Sequence, residues 1–581
     1  MIKYSDQIAR WLKDLGYTHY FYVGGGNIMH LTESLDNELI GVPVVHEVAA
    51  GIAAEYFNVV NEHLNKKALA LVTAGPGLSN IITAMAGSWL ESRELLVIGG
   101  QVKSSDLASE KLRSRGIQEI KGTRLAESLC KISYQVKKPI DAKKFYSIVS
   151  SCWSGRKGPV FLEMPIDVQA RPVKAEQINK WIQEKPLKQI SQKKLKSIAK
   201  LYNKSSKPIL LLGGGVSYKT SLEIQGKLFK KGVPVMTTYN GIDRYDPKKS
   251  NYFGRPNTWG QRSSNIIIQK SDLIIAAGTR LGMQQTGFNW QEFGREAKIV
   301  HVDIDKSELN KGHPSTDLKL CVDANDFIKK FCDLDLLRKD DWIRSSRKIR
   351  ETIPRVENVN KTGKKFISPY EFIVTLETLT KKKDVIVPCS SGSAFTLSMQ
   401  LLNHKQGQRV ITNKSLASMG YGLSGAIGAS IGIGKNKRTI LIEGDGGFAQ
   451  NLQEVGTAKI NKLNLKIFLF HDQGYASIRM TQQNYFNGKY LGCDEKSGLG
   501  LPDWQYLFKA WGINPIKVNK GFDKNKLFLK EFEKSGLSVF LVQIDPEQTY
   551  YPKISSRVTK RGGMESNPID KMTPEIDYLK S

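Results

Sequence analysis

Hydrophobic and polar positions follow two alternating periods along most of the chain. Short apolar runs bounded by Gly or polar residues predict buried strands, and longer stretches with apolar residues three and four apart predict helices. Over residues 1–172 the two patterns alternate, beginning with a strand at His19–Val23 and a helix at Ile28–Leu39. This order predicts a parallel sheet covered by helices on both faces.

The same alternation restarts twice. Pro208–Leu212 opens a second series of predicted strands, and Asp384–Pro388 opens a third. A polar stretch at 171–194 separates the first two series, and a charged stretch at 336–365 forms a second linker or a helical connector. The sequence therefore predicts three consecutive doubly wound α/β domains, at 1–172, 192–335 and 362–552, followed by a loop-like C-terminal arm at 553–581.

Composition excludes several classes of protein. The 581 residues are 40% hydrophobic and 24% charged, which is typical of a globular chain. Apolar runs are strand-sized, well short of the roughly 20 residues of a membrane span, so no membrane association is expected. Ile8, Trp11 and Leu12 have helical spacing, which indicates a first helix rather than a signal peptide. Six scattered cysteines, with no metal or redox spacing, favour reduced thiols and a cytoplasmic location.

The formal net charge of +30 raises the question of nucleic-acid binding. The basic residues are dispersed in short runs such as Lys381–Lys383, whereas a nucleic-acid groove groups its charges with stacking aromatic side chains. No nucleic-acid partner is expected. The basic surface can instead attract small anions.

The most specific chemical pattern lies in the third predicted domain. An apolar strand leads into Gly444–Gly447, and a second apolar strand, Leu465–His471, leads into Asp472, 27 positions after Asp445. Right-handed crossovers place the carboxyl ends of such strands side by side, so two carboxyl groups meet beside the amides of a Gly turn. This arrangement suits Mg²⁺ holding a diphosphate. Taken alone, a plain surface turn explains the Gly-Asp-Gly tripeptide equally well.

Several segments resemble a known family. Gly444–Gly446, followed by Asp472 and Gly474, resembles the thiamine-diphosphate fingerprint. In the first domain, Val44–Gly51 resembles the segment whose glutamate contacts the aminopyrimidine of that cofactor. With Thr73–Asn80 and other Gly-rich turns, the chain is similar to acetolactate synthase-like enzymes over nearly its whole length. The resemblance makes the first domain pyrimidine-binding and the third diphosphate-binding.

The resemblance also assigns candidate site residues. Glu47 would bond the pyrimidine, Gln118 would donate to a developing alkoxide, and His30 is a proton shuttle or a packing histidine. The implied catalytic residues are Glu47, Gln118, His30 and Gly26. The implied metal ligands are Asp445, Asp472 and Gly474, although the family commonly has Asn at the position of Asp472. The implied cofactor contacts are Glu47, Gly392, Ser393, Ala417, Met419, Gly444, Asp445, Gly446, Gly447, Tyr475 and Ala476.

The implied activity is thiamine-diphosphate- and Mg²⁺-dependent decarboxylation of a 2-oxo acid, with pyruvate expected, and transfer of the two-carbon unit to a carbonyl acceptor. Residues 278–290, 474–479 and 497–504 resemble homologues associated with surface-polysaccharide sugar synthesis, so the acceptor is pyruvate or a keto-sugar nucleotide. A simple 2-oxo acid decarboxylase, a hydrolytic C–C lyase and a non-catalytic scaffold remain alternatives.

Two further expectations follow from the resemblance. The family builds its active sites between subunits, so a homodimer or homotetramer is implied. The middle domain matches the part that binds FAD in many relatives, and Gly213–Gly215, Arg280 and Asp303 are compatible with FAD. Structural loops explain the Gly triplet equally well.

Overall fold

Three parallel β-sheets follow one another along the chain, which confirms the predicted three-domain α/β architecture. The computed structural model describes residues 1–182 and 188–576. Part of the predicted linker (183–187) and the end of the predicted arm (577–581) lie outside the described residues. No helix within the described ranges is long and apolar enough to cross a membrane.

The first domain is built on six parallel strands and a short antiparallel pair. Its strands are β1 (Ile2–Lys3), β2 (Tyr17–Tyr22), β3 (Ile40–Pro43), β4 (Lys67–Val72), β5 (Leu95–Gln101), β6 (Ile132–Gln135), β7 (Pro159–Pro165) and β8 (Pro172–Val173). Its helices are α1 (Tyr4–Asp14), α2 (Met29–Asp36), α3 (Glu47–Val60), α4 (Pro76–Glu91), α5 (Gly122–Glu127), α6 (Ala142–Val149) and α7 (Ile166–Ala170). The parallel strands lie in the order β3-β2-β4-β5-β7-β6, and β1 pairs with β8.

The middle domain has five parallel strands in the order β10-β9-β11-β12-β13. These are β9 (Pro208–Leu212), β10 (Val235–Thr237), β11 (Leu273–Ala277), β12 (Lys298–Asp303) and β13 (Leu318–Cys321). Its helices are α8 (Gln192–Lys204), α9 (Tyr218–Lys230), α10 (Arg262–Gln269), α11 (Met283–Thr286), α12 (Lys306–Asn310) and α13 (Ala324–Asp333). The charged stretch that follows contains the helix α14 (Asp340–Thr352), and its Trp342 and Ile343 pack into the core of this domain.

The third domain repeats the topology of the first. Its strands are β14 (Val385–Pro388), β15 (Arg409–Val410), β16 (Thr439–Gly444), β17 (Leu465–His471), β18 (Ile516–Val518) and β19 (Ser538–Gln543). Its helices are α15 (Pro369–Leu379), α16 (Gly392–Leu401), α17 (Tyr421–Ile433), α18 (Asp445–Phe448), α19 (Glu454–Ile460), α20 (Ala476–Tyr485), α21 (Trp504–Ala510) and α22 (Lys526–Glu533). The strand order β15-β14-β16-β17-β19-β18 corresponds strand for strand to the first sheet.

The C-terminal arm is more regular than predicted, so the expectation of a loop is wrong for its described part. It contains β20 (Lys553–Ile554), β21 (Ser556–Val558), β22 (Met564–Ser566) and β23 (Met572–Thr573), with β20 paired to β23 and β21 to β22. The arm docks on the middle domain, where the Asn265 Nδ2 donates to the Ile569 carbonyl at 2.8 Å. Strands of two or three residues are too short to show a period in the sequence.

Helices α3 and α17 join the first domain to the third. An added Cβ at Gly428 would lie 2.0 Å from the Ala53 carbonyl oxygen, and one at Gly425 would lie 2.7 Å from the Tyr56 ring. The two backbones therefore approach more closely than any side chain would allow. This close approach explains why α3 is buried on nearly all sides although it follows an edge strand.

Candidate functional site

The first and third sheets each have a point where the strand order reverses, and the loops that follow the two flanking strands lie beside it. In an open doubly wound sheet, ligands bind at the carboxyl edge beside this point. In the first sheet it lies between β2 and β4, which lead into Gly24–Gly26 and Thr73–Gly75. In the third sheet it lies between β14 and β16, which lead into Cys389–Gly392 and Asp445–Gly447.

The loops of the first domain are packed tightly against one another. A Cβ added at Gly25 would lie 2.4 Å from the Thr73 Cβ, so the two loops are in contact. Gly75 has a φ of +62°, and a Cβ there would lie 2.4 Å from the Gln118 carbonyl oxygen. Gln118 itself is exposed, with a φ of +60°. The structure thus brings Gly25, Gly75 and Gln118 to one edge of the sheet.

Glu47 begins helix α3 and is only 7% exposed. Its Oε2 accepts a hydrogen bond from the Nδ2 of Asn80 on α4 at 2.9 Å. A carboxylate is stabilised at a helix N-terminus by the helix dipole. Asn80 therefore contacts a predicted site residue, although no role was predicted for it within Thr73–Asn80.

The backbone that enters α3 is held by the third domain. The amides of Val45 and His46 donate to the Oε1 of Glu454 at 3.1 and 3.0 Å. Burial raises the pKa of the Glu454 carboxyl above its usual value. Glu454 is a second residue that sequence reasoning missed, because its partners are about 400 positions away in the chain.

Two other predicted residues lie in the loop after β2. Gly26 begins a short 3₁₀ turn, Gly26–Ile28, and is exposed. His30 lies in the first turn of α2 and is half-buried. The described contacts link neither residue to Glu47.

The predicted metal ligands converge in the third domain. Asp445 is fully buried, and its Oδ1 accepts from the amides of Gly446 at 2.7 Å and Gly474 at 3.3 Å. Its Oδ2 accepts from the Gln473 amide at 2.9 Å. The turn after β16 and the loop after β17 are therefore joined through the Asp445 carboxyl group.

Asp472 lies beside Asp445 and is 2% exposed. Burial raises the pKa of both carboxyl groups, and the adjacent Asp445 raises that of Asp472 further. The Oδ1 of Asp472 has no hydrogen-bond partner among the described residues. A buried carboxylate oxygen without a partner is costly, and a divalent cation would satisfy it.

These residues fit Mg²⁺, which favours oxygen ligands and commonly keeps only one or two protein carboxylates. Within residues 1–182 and 188–576, no group of three or more His, Cys, Asp or Glu side chains forms a metal site. The predicted site is smaller, with two carboxyl side chains and the Gly474 carbonyl. The remaining positions would be taken by diphosphate and water oxygens.

The predicted diphosphate contacts surround the same turns. A Cβ at Gly446 would lie 2.3 Å from the Tyr475 ring, so that glycine lets the two turns meet. Gly392 begins helix α16 with a φ of +78°, and a Cβ there would meet nothing within 4 Å. Ser393 follows it in the first turn of the helix. A helix N-terminus of this kind suits an anion.

The turn that carries Met419 is bound to the Gly turn. The Gly420 amide donates to the Gly447 carbonyl at 2.9 Å, and the Asn451 Nδ2 donates to the Gly420 carbonyl at 2.7 Å. Met419 is 36% exposed just before α17, and Ala417 has a φ of +55°. The structure places Met419 and Ala417 in one turn that is anchored to the loop carrying the predicted metal ligand Asp445.

A cavity of about 1030 Å³ lies among the three domains. Arg280 and Asp303 line it, as do Gly214 and Gly215 of the Gly triplet. The Oδ1 of Asn240, also in the lining, is buried with no partner among the described residues. Eleven lysine and arginine residues line the cavity, among them Lys219, Arg244, Lys311 and Lys414. The residues present therefore fit a nucleotide with a diphosphate.

Comparison with known families covers all three domains in order. Residues 2–124 match the thiamine pyrophosphate enzyme N-terminal TPP binding domain, 195–331 match the central domain, and 390–542 match the C-terminal TPP binding domain. The three-domain fold is thus that of a thiamine-pyrophosphate enzyme, which binds thiamine diphosphate and acts on small molecules.

Individual relatives give a finer description. The chain is 27% identical to the acetolactate synthase large subunit of Porphyra purpurea, over 93% of this chain and 91% of that protein. It is 26% identical to the acetolactate synthase isozyme 2 large subunit of Escherichia coli (strain K12), over 97% of this chain and 100% of that protein. The chain belongs to the acetolactate synthase-like family of thiamine-diphosphate-dependent enzymes, which are carboligases.

Proposed function

We propose that this enzyme uses thiamine diphosphate with Mg²⁺ to decarboxylate a 2-oxo acid, pyruvate in the first instance, and transfers the two-carbon unit to a carbonyl acceptor. The acceptor is a second pyruvate or a keto-sugar nucleotide. The observation that carries the proposal is the buried pair Asp445 and Asp472 beside Gly474, where one carboxylate oxygen lacks a hydrogen-bond partner among the described residues.

The residues of this chain have distinct roles in the proposal. When bound, thiamine diphosphate supplies an electron sink for the electron pair released as CO₂ leaves. Asp445, Asp472 and the Gly474 carbonyl hold the metal. Glu47, oriented by Asn80, accepts a hydrogen bond from the pyrimidine ring and sets its protonation. Gln118 donates a hydrogen bond to the oxygen that becomes negatively charged.

The proposal assigns one task to each predicted domain. Residues 1–172 supply the pyrimidine contact, 192–335 the Gly-rich turn of the nucleotide cavity, and 362–552 the metal and diphosphate contacts. We assign FAD to the cavity of about 1030 Å³, because its lining combines a Gly-rich turn, basic side chains and a buried Asn240 oxygen without a partner among the described residues. Flavin released from acid-denatured protein, measured by fluorescence, tests this assignment.

The complete site is proposed to form between two copies of the chain. Beside the loops of the first domain, Val45 is 59% exposed and Ile117 is 86% exposed. Exposed apolar side chains next to a buried glutamate favour cover by another protein surface. Sedimentation analysis is expected to show a dimer or tetramer, and Ile117→Glu is expected to weaken it. A monomeric wild-type protein would contradict the shared site.

The decisive experiment is product analysis with isotopically labelled pyruvate, thiamine diphosphate and Mg²⁺, with and without a panel of keto-sugar nucleotides. Labelled acetolactate formed without a sugar supports pyruvate as the acceptor. A labelled two-carbon adduct that requires a sugar nucleotide supports the second acceptor. Acetaldehyde as the main product would indicate a simple decarboxylase, and no CO₂ release with any donor would refute the proposal. Glu47→Gln is the matched inactive control.

A further inference from the structure

Arg479 is a buried arginine that faces the proposed metal loop. It lies in the first turns of helix α20, and its side chain is 5% exposed. Its Nη2 donates to the carbonyl oxygen of Asp472, and its Nη1 donates to that of Gln473 at 3.0 Å. Both donors of one guanidinium fork are therefore used on successive carbonyl groups of the same loop.

The loop that Arg479 holds has an unusual backbone. Gln473 has a φ of +61°, a conformation that a residue with a side chain adopts only when its surroundings hold it there, and Gly474 has a φ of +138°. The Tyr475 amide donates to the Cys493 carbonyl at 2.8 Å and fixes the far end of the loop. With the carbonyls of Asp472 and Gln473 bound to Arg479, the next carbonyl is that of Gly474, which accepts from the Ala476 amide at 3.2 Å and keeps a second lone pair for a metal ion.

Arg479 also lies close to the carboxyl pair. Its Nη2 is 3.9 Å from the Oδ1 of Asp472, and the Asp472 side chain is 2% exposed. Two buried carboxylates carry more negative charge than a single Mg²⁺ site needs when the ligand to be held is itself an anionic diphosphate. A buried cation at this distance offsets one of those charges, since charge interactions are strong where water is excluded.

We infer that Arg479 is a positioning residue of the Mg²⁺–diphosphate site: its charge offsets Asp472, and its two donors hold the loop so that Gly474 presents its carbonyl. Because the inference rests on the proposed function, its test measures binding of the cofactor and not turnover. The contacts that define this role are with Asp472 and Gln473, in the proposed diphosphate half of the site.

The test is a double-mutant cycle with Arg479→Met and Asp472→Asn. Calorimetric titration with thiamine diphosphate at fixed Mg²⁺ gives the affinity of each variant, and thermal unfolding without cofactor gives its stability. Arg479→Met is expected to weaken cofactor binding about tenfold or more in the wild-type background, but only about threefold in the Asp472→Asn background, because residues that interact directly show non-additive effects. Arg479→Lys, which keeps the charge, is expected to recover most of the loss.

Arg438 provides the matched control. It is a buried arginine in the same domain that pairs with Asp384 at 2.7 Å and donates to the Phe532 carbonyl at 3.0 Å. Arg438→Met is expected to lower the melting temperature with less than a twofold change in cofactor affinity, the pattern of a purely structural arginine.

Three results would overturn the inference. The first is an equal loss of affinity for Arg479→Met in both backgrounds, which would leave no charge coupling to Asp472. The second is unchanged binding in Arg479→Met. The third applies when Arg479→Met fails to fold. It is an Arg479→Lys protein that folds but binds thiamine diphosphate tenfold or more weakly. Wild-type protein that binds no thiamine diphosphate at any Mg²⁺ concentration would instead refute the proposed function.

Discussion

The close packing of α3 on α17 predicts that Gly→Ala lowers the stability of the protein at Gly428. The same substitution at the exposed Gly226 is predicted to raise it. Gly428 lies in α17, where a Cβ would be 2.0 Å from the Ala53 carbonyl oxygen, and Gly226 lies in α9, where a Cβ would meet nothing within 4 Å. In an exposed helix interior, Gly→Ala stabilises by about 0.5–1 kcal/mol. Gly226→Ala is therefore expected to raise the melting temperature slightly.

At Gly428 the same substitution forces the two helices apart. The Ala53 backbone would have to retreat by about 1 Å to reach even the 3.0 Å that real contacts require. Overpacking of this kind typically costs about 1–3 kcal/mol, more than the helix propensity gained. Since α3 begins at Glu47, the retreat would also displace the proposed pyrimidine contact.

Thermal unfolding of wild type, Gly226→Ala and Gly428→Ala under one set of conditions checks both signs. The expected order of melting temperatures is Gly226→Ala, wild type, Gly428→Ala. Cofactor affinity should fall only in the last variant. If Gly428→Ala is as stable as wild type, the close approach of α3 and α17 is refuted.

Three further predictions concern single carboxyl groups. Glu47→Gln should leave the melting temperature nearly unchanged and lower turnover by about 10²–10⁴-fold in a CO₂-release assay, and normal turnover would contradict its role. Asp445→Ala should abolish Mg²⁺-dependent retention of thiamine diphosphate on desalting; full retention would place the metal elsewhere. Burial raises the pKa of Glu163 from 4.5 to about 7, so the folded state holds this proton more tightly and stability falls as pH rises through that interval. Glu163→Gln should remove this loss, so the free energy of unfolding at pH 8, relative to that at pH 4, should be higher than in wild type by at most about 3 kcal/mol. Denaturant unfolding at both pH values measures this difference.

The central strands could be predicted from the sequence, and several edge strands could not. Pro208–Leu212 and Leu465–His471 were predicted with their observed bounds, because both faces of a central parallel strand are covered and the run is continuously apolar. By contrast, β6, β13 and β18 lie at sheet edges, are partly exposed and show no such run. Periodicity alone does not distinguish them from loops.

The residues of the candidate site could likewise be predicted from the sequence only in part. Asp445, Asp472 and Gly474 come from local Gly-rich patterns that the sequence displays, and the structure brings them together. Asn80 and Glu454 act through partners on distant elements, so their contribution depends on the tertiary fold and no local pattern in the sequence marks it. Arg479 binds carbonyl groups only six and seven residues before it, but its role depends on the backbone conformation of that loop.

The matching strand order of the first and third domains has a consequence for how the two domains pack. Helix α3 follows the second strand of its sheet, β3, and α17 follows the corresponding strand, β15, so equivalent helices of two equivalent domains pack on each other. An isologous contact of this kind is the signature of a homodimer, here contained within one chain. The two domains use the start of the equivalent helix differently: α3 begins at the buried Glu47, whereas α17 follows the turn that carries Met419.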